Sequence, residues 1–436
     1  LRRSLLLGQR PPMADKSLSL SRSYNPTYDE IVLKAKQSRD MFLLVGPPGT
    51  GKTSMALQYL VRELVLLPTP ERSRGGNGLL LSYTNRAVDE ICGMLSDNGI
   101  DFIRLGNAYS CDPKYKRYLL SERLKNKPTL DGIKRIISNA QLIVATTSTI
   151  ASRPFIFQIK HFDLAIVDEA SQILEPNIVG ILGSHIGNEC CIDKFILIGD
   201  HKQLPAVVQQ DASESVVEDP LLCDIYLTDC RNSLFERLIR MERAAGRDDF
   251  VGILRRQGRM HPAIAAFPNR MFYGRERLEC VPLPHQIEEN IYPTVAPEAQ
   301  NLSPLAQLLC GNRLVYFPSK FCKRVGMSEK VNTEEARIVA QVLKTVYHLC
   351  SGTFDSSKTV GVIVPYRNQI AMIRQEITRL NIPQLLDISI DTVERYQGSQ
   401  RDVIIYSFTI QSRYQLDFLT SNCFEEDGKV IDRKLN

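Results

Sequence analysis

The sequence lacks any apolar run approaching the roughly 18 residues that a membrane-spanning helix requires. Its opening, LRRSLLLGQRPP, places arginines before three leucines, but this apolar stretch is too short for the core of a secretory signal peptide. The chain also begins without methionine, and Met13 lies just inside it. We therefore expect no membrane partner, a location in the cytoplasm, nucleoid or nucleus, and an unstructured or extraneous segment over residues 1–19.

Cysteine patterns that bind metal are also absent. The 11 cysteines include no CxxC pair, and none stands at zinc-ligand spacing from the histidines. Cys190 and Cys191 are adjacent, and the others are scattered through apolar segments, as is typical of reduced, buried thiols in an intracellular protein. The net charge of +5 permits nucleic-acid binding through local basic patches but does not require it.

Short apolar runs alternate with amphipathic helical patterns from residue 41 onward. Continuous apolar runs are typical of strands buried on both faces of a parallel sheet. The alternation predicts an α/β fold with two domains, over about 20–250 and 251–436. The predicted strands are MFLLV (41–45), GLLLSY (78–83), LIVATT (142–147), DLAIVD (163–168), FILIGD (195–200), RLVYF (313–317), VGVIVP (360–365), LDISID (386–391) and VIIYSF (403–408). The other predictions are helices at 333–348 and 367–380 and surface insertions at 67–76, 209–232 and 281–306.

The stretch GPPGTGKT follows a predicted strand and opens a predicted helix, which is the context of a phosphate-binding P-loop. Its glycines let the backbone curl so that N–H groups face a phosphate, and the helix N-terminus adds a favourable dipole. In this arrangement Lys52 reaches the β- and γ-phosphates, and the hydroxyl of Thr53 is a magnesium ligand. The predicted nucleotide-binding residues are Gly46, Pro47, Pro48, Gly49, Thr50, Gly51, Lys52 and Thr53.

Polar residues at the ends of two further predicted strands complete this site. Asp168 and Glu169 follow an apolar run in VDEAS, and adjacent side chains at a strand end point in different directions. We expect Asp168 to hold Mg²⁺ through water and Glu169 to polarise the attacking water. Gln203, in the turn after ILIGD, carries an amide that both donates and accepts, which suits sensing of a γ-phosphate and its attacking water.

The order of these motifs resembles that of the superfamily 1 helicases. The likeness is to the 5′-to-3′ branch that contains the RNA helicase of nonsense-mediated decay and the replication helicase-nuclease. It extends from about Asn25 to the C-terminus. The motifs that carry it are GPPGTGKT, TNRAVD, VDEASQ, GDHKQLPAVV, QGRMHP, VNTEEARIVAQVL, GVIVPYRNQI and DTVERYQGSQRDVII.

The resemblance implies two tandem RecA-like domains with parallel sheets, which bind ATP and Mg²⁺ between them and single-stranded DNA or RNA across both. It implies catalytic roles for Lys52, Glu169 and Gln203. QGRMHP makes Arg259 the candidate arginine finger, which neutralises charge in the transition state of phosphoryl transfer and is expected to come from the second domain. Gln397 and Gly398 are expected near the phosphates or the ribose.

The same resemblance places a set of small polar and basic residues near the nucleic acid. Their hydroxyl and backbone N–H groups suit phosphate contacts. A helix-cap or turn role is the alternative for the small polar ones. The predicted contacts are Thr84, Asn85, Thr146, Thr147, Ser148, Thr392 and Arg395, and Pro365, Tyr366 and Arg367 are candidates for the same cleft.

The chain departs from the family pattern at several positions. Gly258 stands where relatives usually have an aromatic residue, and Tyr28 falls where the adenine-reading glutamine of LNxxQ is expected. Both departures argue against strict adenine selectivity. The chain ends at Asn436, before the stretch that carries a second phosphate-contacting arginine in the family. We therefore expect an incomplete second domain and a sequence that is a fragment.

Three functions remain open on the sequence alone. The first is an ATP-driven helicase or translocase, and the second is a nucleotide-dependent clamp on nucleic acid that does not unwind. The third is an NTPase subunit of a defence or nuclease system, with a partner domain outside this chain. The basic run KYKRYLLSERLKNK (114–127) is predicted to be a solvated helix face, with phosphate contact as the alternative.

Overall fold

The structure, a computed structural model, describes residues 2–68, 74–124, 129–292, 302–319, 328–420 and 423–436. The chain divides into two compact units. Unit 1 comprises Leu1–Met260 and Tyr273–Val281, and unit 2 comprises His261–Phe272 and Pro282–Asn436. The predicted insertions at 67–76 and 281–306, and the end of the basic run at 114–127, lie partly outside the described residues.

Unit 1 is built on a parallel seven-stranded sheet with the order β3-β4-β2-β5-β8-β1-β9. Two short pairs of strands, β6–β7 and β10–β11, lie outside it. The strands of the unit are β1 (Met41–Val45), β2 (Gly78–Ser82), β3 (Ile103–Arg104), β4 (Leu142–Thr146), β5 (Phe162–Val167), β6 (His185–Ile186), β7 (Glu189–Cys190), β8 (Ile192–Gly199), β9 (Val251–Ile253), β10 (Arg256–Gln257) and β11 (Glu279–Cys280).

The central strands are buried on both faces, as their apolar runs predict. All five residues of β1 are buried. Met41, Leu43 and Val45 pack into one hydrophobic cluster, whereas Phe42 and Leu44 pack into another. Since successive side chains of a strand point to opposite faces, the two clusters are the cores above and below the sheet.

Helices cover both faces of this sheet. The helix after the P-loop runs from Lys52 to Leu66, with π-helical ends over Lys52–Leu57 and Arg62–Leu66. The α-helices of unit 1 are α1 (Arg2–Leu6), α2 (Pro26–Gln37), α3 (Gln58–Val61), α4 (Asn85–Asp97), α5 (Leu120–Arg123), α6 (Leu130–Asn139), α7 (Thr147–Ala151), α8 (Ile156–Ile159), α9 (Pro176–Leu182), α10 (Ala212–Ser215), α11 (Pro220–Asp224) and α12 (Leu234–Ala244). Short 3₁₀ helices lie at Ala108–Ser110, Pro113–Tyr118, Ala170–Gln172 and Asp248–Phe250.

Unit 2 contains a parallel three-stranded sheet with the order β13-β12-β14 and an antiparallel hairpin, β15–β16. Its strands are β12 (Val360–Val364), β13 (Ser389–Thr392), β14 (Val403–Tyr406), β15 (Cys423–Glu426) and β16 (Lys429–Asp432). Its helices are α13 (Pro262–Met271), α14 (Pro284–Ile287), α15 (Pro304–Gly311), α16 (Thr333–Leu349), α17 (Arg367–Thr378), α18 (Val393–Tyr396) and α19 (Tyr414–Leu419), with a 3₁₀ turn at Pro383–Leu385.

The predicted α/β fold with parallel sheets is confirmed, but three details differ. RLVYF (313–317) forms no strand, and its Leu314 and Tyr316 are 67% and 76% exposed. An isolated extended segment leaves its backbone groups without the ladder partners that define a strand. The division between the units falls at Met260 rather than at 250, because β9 pairs with β1.

The third difference concerns residues 1–19, which we expected to be unstructured or extraneous. Leu5 and Leu6 of α1 are buried in the core of unit 1. The guanidinium of Arg2 donates hydrogen bonds to the carbonyl oxygens of Asp40, Ile192 and Asp193. These contacts anchor α1 at the amino-terminal end of β8.

Candidate nucleotide and nucleic-acid sites

The P-loop lies where β1 ends, at the carboxyl edge of the sheet of unit 1. The N–H of Gly46 donates to the carbonyl oxygen of Gly199 at the end of β8, over 2.9 Å. Gly49 and Gly51 have φ values of 74° and 71°, a left-handed conformation that glycine adopts without steric cost. The helix begins at Lys52, directly after Gly51. The predicted strand, glycine-rich turn and helix are therefore all present in this order.

Side chains from two strand ends meet beside Lys52 and Thr53. The ammonium of Lys52 lies 3.1 Å from Oε1 of Glu169, and the hydroxyl of Thr53 donates to Oδ2 of Asp168 over 2.6 Å. Burial lowers the pKa of Lys52, but the charges of Glu169, Asp168 and Asp200 outweigh it and hold the pKa above its ordinary value. Lys52 is therefore a cation at neutral pH.

Asp168 is the most strongly perturbed carboxyl group of this site. Its side chain is buried, and burial together with the charge of Glu169 raises the pKa of Asp168 to about 6, against the opposing charge of Lys52. Glu169 has a left-handed backbone with a φ of 53°, which is uncommon for a residue with a Cβ and turns its side chain away from that of Asp168. Two carboxylates thus face one lysine and one hydroxyl.

The loop after β8 holds Gln203 through a carboxylate that sequence reasoning did not single out. Nε2 of Gln203 donates to Oδ2 of Asp200 over 2.7 Å. The hydroxyl of Tyr273 donates to the same oxygen over 2.6 Å. Asp200 stands in the motif GDHKQ, but neither the motif nor the sequence around Tyr273 indicated this contact.

By its contacts, Arg259 lies in unit 1, the unit of the P-loop. The reason is strand pairing: β10, two residues before it, pairs with β11 of the same unit. The N–H of Gly258 donates to the carbonyl oxygen of Gly49 over 2.9 Å. The charge of Arg259 interacts with the carboxylates of Glu90 and Glu169.

Gln257 shapes the turn that carries Arg259. Its side chain is fully buried, and Oε1 accepts hydrogen bonds from the N–H groups of Arg259 and Met260 over 2.9 and 2.7 Å. Its Nε2 donates to the carbonyl oxygen of Met260 and to Sγ of Cys280. The glutamine of QGRMHP therefore fixes the backbone at Arg259, a role that the motif alone did not indicate.

Tyr28 contacts the P-loop directly. Its hydroxyl donates to the carbonyl oxygen of Thr50 over 3.0 Å, and Oγ1 of Thr50 donates to the carbonyl oxygen of Pro47. The tyrosine thereby supports the loop instead of offering an amide to a base. A cavity of about 640 Å³ adjoins it, lined at α2 by Pro26 and Thr27.

The nucleic-acid candidates of unit 1 lie at one edge of the sheet. Ser82 of β2 is opposite Thr146 of β4 in the parallel ladder, so the residues that follow the two strands share the carboxyl edge. Oγ1 of Thr84 accepts from the N–H of Ala87, and Oγ1 of Thr146 accepts from the N–H of Thr149. Both threonines thus take the capping role that the sequence left open.

The other three candidates of this edge differ in exposure. Asn85 and Ser148 are exposed, as a contact with a strand requires. Thr147 is 1% exposed, and its hydroxyl has no hydrogen-bond partner among the residues that the structure describes. Asn85 and Ser148, together with the exposed Thr84, are therefore the candidate side chains that solvent reaches here.

The candidates of unit 2 converge on one groove. A cavity of about 440 Å³ is lined by Thr392 and Arg395 together with Tyr366, Arg367 and Lys330. Pro365, Asn368 and Glu394 complete the lining. The sequence predicted Thr392 and Arg395 as contacts, and the structure brings them together with the VPYR motif. The cationic lining suits a phosphate backbone.

Gln397 and Gly398 also lie in unit 2, in the turn after α18. Gly398 is exposed and has a φ of 77°. Its left-handed backbone explains the glycine at this position.

Neither a metal cluster nor a spanning helix is found in the part of the chain that the structure describes. No three histidine, cysteine, aspartate or glutamate side chains converge there as a metal site. None of the described helices combines the length and apolar character needed to cross a membrane.

Two protein families, each described as an AAA domain, match the chain in succession. One matches residues 23–132 and 125–211, and the other matches residues 230–422.

Several replication proteins are similar to the chain over most of its length. The DNA replication ATP-dependent helicase/nuclease DNA2 of Xenopus laevis is 32% identical over 414 residues, covering 91% of this chain and 35% of that protein. The DNA replication ATP-dependent helicase/nuclease JHS1 of Arabidopsis thaliana is 28% identical, covering 94% and 28%. DNA2 of Homo sapiens is 29% identical, covering 90% and 34%. The chain spans about a third of the length of the curated relatives it matches.

Two solved structures also resemble the chain. The arterivirus nonstructural protein 10 helicase in complex with DNA is 15% identical, with a TM-score of 0.36, and the likeness covers 82% of this chain and 61% of that one. Bacteroides Pif1 bound to single-stranded DNA is 16% identical, with a TM-score of 0.29, and covers 59% and 48%. Scores this low establish no detail of the fold.

Proposed function

We propose that the chain, which matches two AAA domains in succession and whose motifs resemble those of the superfamily 1 helicases, hydrolyses ATP and uses this reaction to move along single-stranded nucleic acid. The observation that carries the proposal is the convergence of Lys52, Thr53, Asp168 and Glu169 at the carboxyl edge of one parallel sheet. Ligands of open α/β sheets bind at this edge.

The residues present fit a nucleotide and Mg²⁺. The backbone at Gly46, Gly49 and Gly51 forms a cradle that a side chain would fill, because a Cβ on Gly46 would run into the side chain of Lys52. Thr53 and Asp168 are already in hydrogen-bond contact and supply the oxygen ligands that Mg²⁺ prefers. An Mg²⁺ ion held by Thr53 and Asp168 would supply positive charge that offsets the charge of the phosphates.

Each polar group then has a distinct task. Lys52 binds the terminal phosphates, and Glu169 accepts a hydrogen bond from the attacking water and orients it. Gln203 contacts the same water or the γ-phosphate. Arg259 neutralises charge that develops in the transition state, from within the unit of the P-loop. Gly398 and Gln397 approach the phosphates or the ribose.

We assign the strand to the carboxyl edge of unit 1 and to the groove of unit 2. At the edge, the exposed Asn85 and Ser148 make the contacts, together with backbone groups at Thr84, Thr146 and Thr147. In the groove, Thr392 and Arg395 contact phosphates. The names of the relatives support DNA as the natural strand, and RNA is the alternative.

An ATPase assay with single-stranded DNA and RNA in parallel tests this function. We expect hydrolysis to rise several-fold with DNA, and a tailed duplex to be unwound in an ATP-dependent manner. ATP-dependent strand binding without turnover would replace the helicase with a clamp. The absence of both nucleotide hydrolysis and strand binding would contradict the proposal as a whole.

A further inference from the structure

Residues Tyr273–Val281 form a segment, here termed the return segment, that packs back onto unit 1 after α13. Two of its side chains reach the loop that begins at Asp200. The hydroxyl of Tyr273 donates to Oδ2 of Asp200 over 2.6 Å, and Oε2 of Glu276 lies 2.9 Å from Nζ of Lys202. The return segment therefore holds this loop at two points, both inside the protein.

All four of these side chains are almost fully buried. Tyr273 and Glu276 are 0% exposed, Asp200 is 1% exposed and Lys202 is 2% exposed. The ammonium of Lys202 also lies 5.8 Å from the centre of the Tyr273 ring. Buried polar contacts fix side-chain positions more firmly than exposed ones, because breaking one leaves a group that water cannot reach.

Asp200 connects the return segment to Gln203 through hydrogen bonds. Its Oδ2 accepts from Tyr273 and from Nε2 of Gln203, while its Oδ1 accepts from the N–H of Lys202 over 3.1 Å. Because Nε2 is the donor in the hydrogen bond to Asp200, the amino end of the Gln203 amide faces the carboxyl group. The carbonyl oxygen Oε1 of Gln203 is then the end turned away from Asp200.

We propose that Tyr273 is a positioning residue for Gln203, acting through Asp200, and that Gln203 serves ATP hydrolysis by accepting a hydrogen bond from the attacking water with Oε1. The inference rests on the proposed function and deepens it by naming the atom of Gln203 that binds the attacking water. Tyr273 orients the amide before nucleotide binds. Without its hydroxyl, Asp200 and the amide gain rotational freedom, and the water is held less well.

Kinetics of Tyr273→Phe, Gln203→Ala and the double variant test this inference. The phenylalanine keeps the buried ring and removes only the hydroxyl. We expect Tyr273→Phe to lower kcat about tenfold, as for loss of a hydrogen bond to a charged group, with KM for ATP unchanged. In the Gln203→Ala background the same change should lower the remaining kcat less than about twofold, because its effect runs through Gln203.

Tyr292→Phe is the matched control, since Tyr292 is also a buried tyrosine but lies in the core of unit 2. It should leave kcat unchanged. A second readout needs no nucleotide: hydrogen exchange at the amide of Lys202 should become faster in Tyr273→Phe and stay the same in Tyr292→Phe. Melting temperatures of all variants show whether each one is folded.

The outcomes separate the two proposals. If Gln203→Ala hydrolyses ATP at the normal rate, Gln203 has no part in the reaction. Its proposed role and this inference would then both be wrong. If Gln203→Ala is slow but Tyr273→Phe is normal, only the inference falls. It also falls if Tyr273→Phe lowers kcat equally with and without Gln203, or leaves exchange at Lys202 unchanged.

Discussion

Lys52 is the cation on which the site at the P-loop depends. It faces Glu169 at 3.1 Å and balances the charges of Asp168 and Asp200. Lys52→Ala should lower ATP hydrolysis about 100-fold or more, because a preorganised charge near the transferred phosphate is lost. The exposed Lys344 of α16 provides the control, Lys344→Ala. Steady-state phosphate release measures both, and normal hydrolysis by Lys52→Ala would exclude this site.

Asp168 makes the protein less stable at neutral pH than at acidic pH when no metal is bound. Its pKa is raised to about 6, above the usual carboxyl value, so the folded state prefers the protonated form. The contribution of Asp168 to the free energy of unfolding is therefore largest below about pH 4, and it declines as the pH rises to about 6. The loss is on the order of 3 kcal/mol for a shift of about two pH units.

Asp168→Asn should accordingly raise the melting temperature of the nucleotide-free and metal-free protein at pH 7.5. The amide cannot ionise, and its carbonyl oxygen still accepts the hydrogen bond of Thr53. At pH 4.5 the gain should shrink towards zero. Asp131→Asn, at an exposed position of α6, serves as the control with little effect at either pH. A lower melting temperature for Asp168→Asn at pH 7.5 would contradict the raised pKa.

The sequence predicted the individual residues of the site better than their environment. Lys52, Thr53, Asp168 and Glu169 lie together because each follows or ends an apolar strand of one parallel sheet. The pairing that places Arg259 in unit 1 could not be predicted, because β10 and β11 are two residues each, too short to produce an apolar pattern. Tyr273 was missed because its contact with Asp200 joins positions far apart in the chain.

At the scale of elements, the P-loop and the turn at Arg259 are in close contact. A Cβ on Gly49 would come within 2.5 Å of Cβ of Arg259, and Gly49 also has a φ of 74°. Gly49→Ala should therefore displace the turn, strain the loop and abolish nucleotide binding. Fluorescent-nucleotide titration measures the effect.

Gly99→Ala is a matched control for this prediction. Gly99 has a φ of 65°, but a Cβ there would have no atom within 4 Å. It should cost about 1 kcal/mol of stability through backbone strain alone and leave nucleotide binding normal. Equal binding by the two variants would show that the contact with Arg259 is unimportant.

Strands buried on both faces could be predicted from the sequence, whereas exposed segments and short edge strands could not. β1, β2, β4 and β12 begin where their apolar runs begin. RLVYF has a similar composition but forms no strand, since local pattern cannot show whether a neighbouring strand exists. β9, only three residues long, pairs with β1 through a partner far away in sequence.

At the scale of the whole molecule, nucleotide and strand should depend on different residues. Arg395→Ala should weaken single-strand binding about tenfold, reduce the salt dependence by about one phosphate contact, and leave the Kd for nucleotide unchanged. Lys52→Ala should instead weaken nucleotide binding and leave single-strand binding, measured without nucleotide, unchanged. Fluorescence anisotropy at several salt concentrations measures strand binding.

Arg379 supplies the control for this pair. It is exposed directly after α17, in the same unit, and pairs with Glu376 at 2.6 Å. Arg379→Ala should change neither Kd. If it weakens strand binding as much as Arg395→Ala does, the groove is not the contact and the effect is one of overall charge.

The position of β1 in its sheet has a consequence for how the protein is made. β1 is flanked by β8 and β9, which are synthesised about 150 to 200 residues later. At a translation rate of about 5–20 residues per second, the P-loop leaves the ribosome roughly 10–40 s before β9 can pair beside it. Both edges of β1, an apolar strand, lack their final partners until β8 is made, and one edge lacks its partner until β9 is made. The nascent chain therefore exposes an apolar strand edge, which is prone to wrong pairing, until β9 arrives.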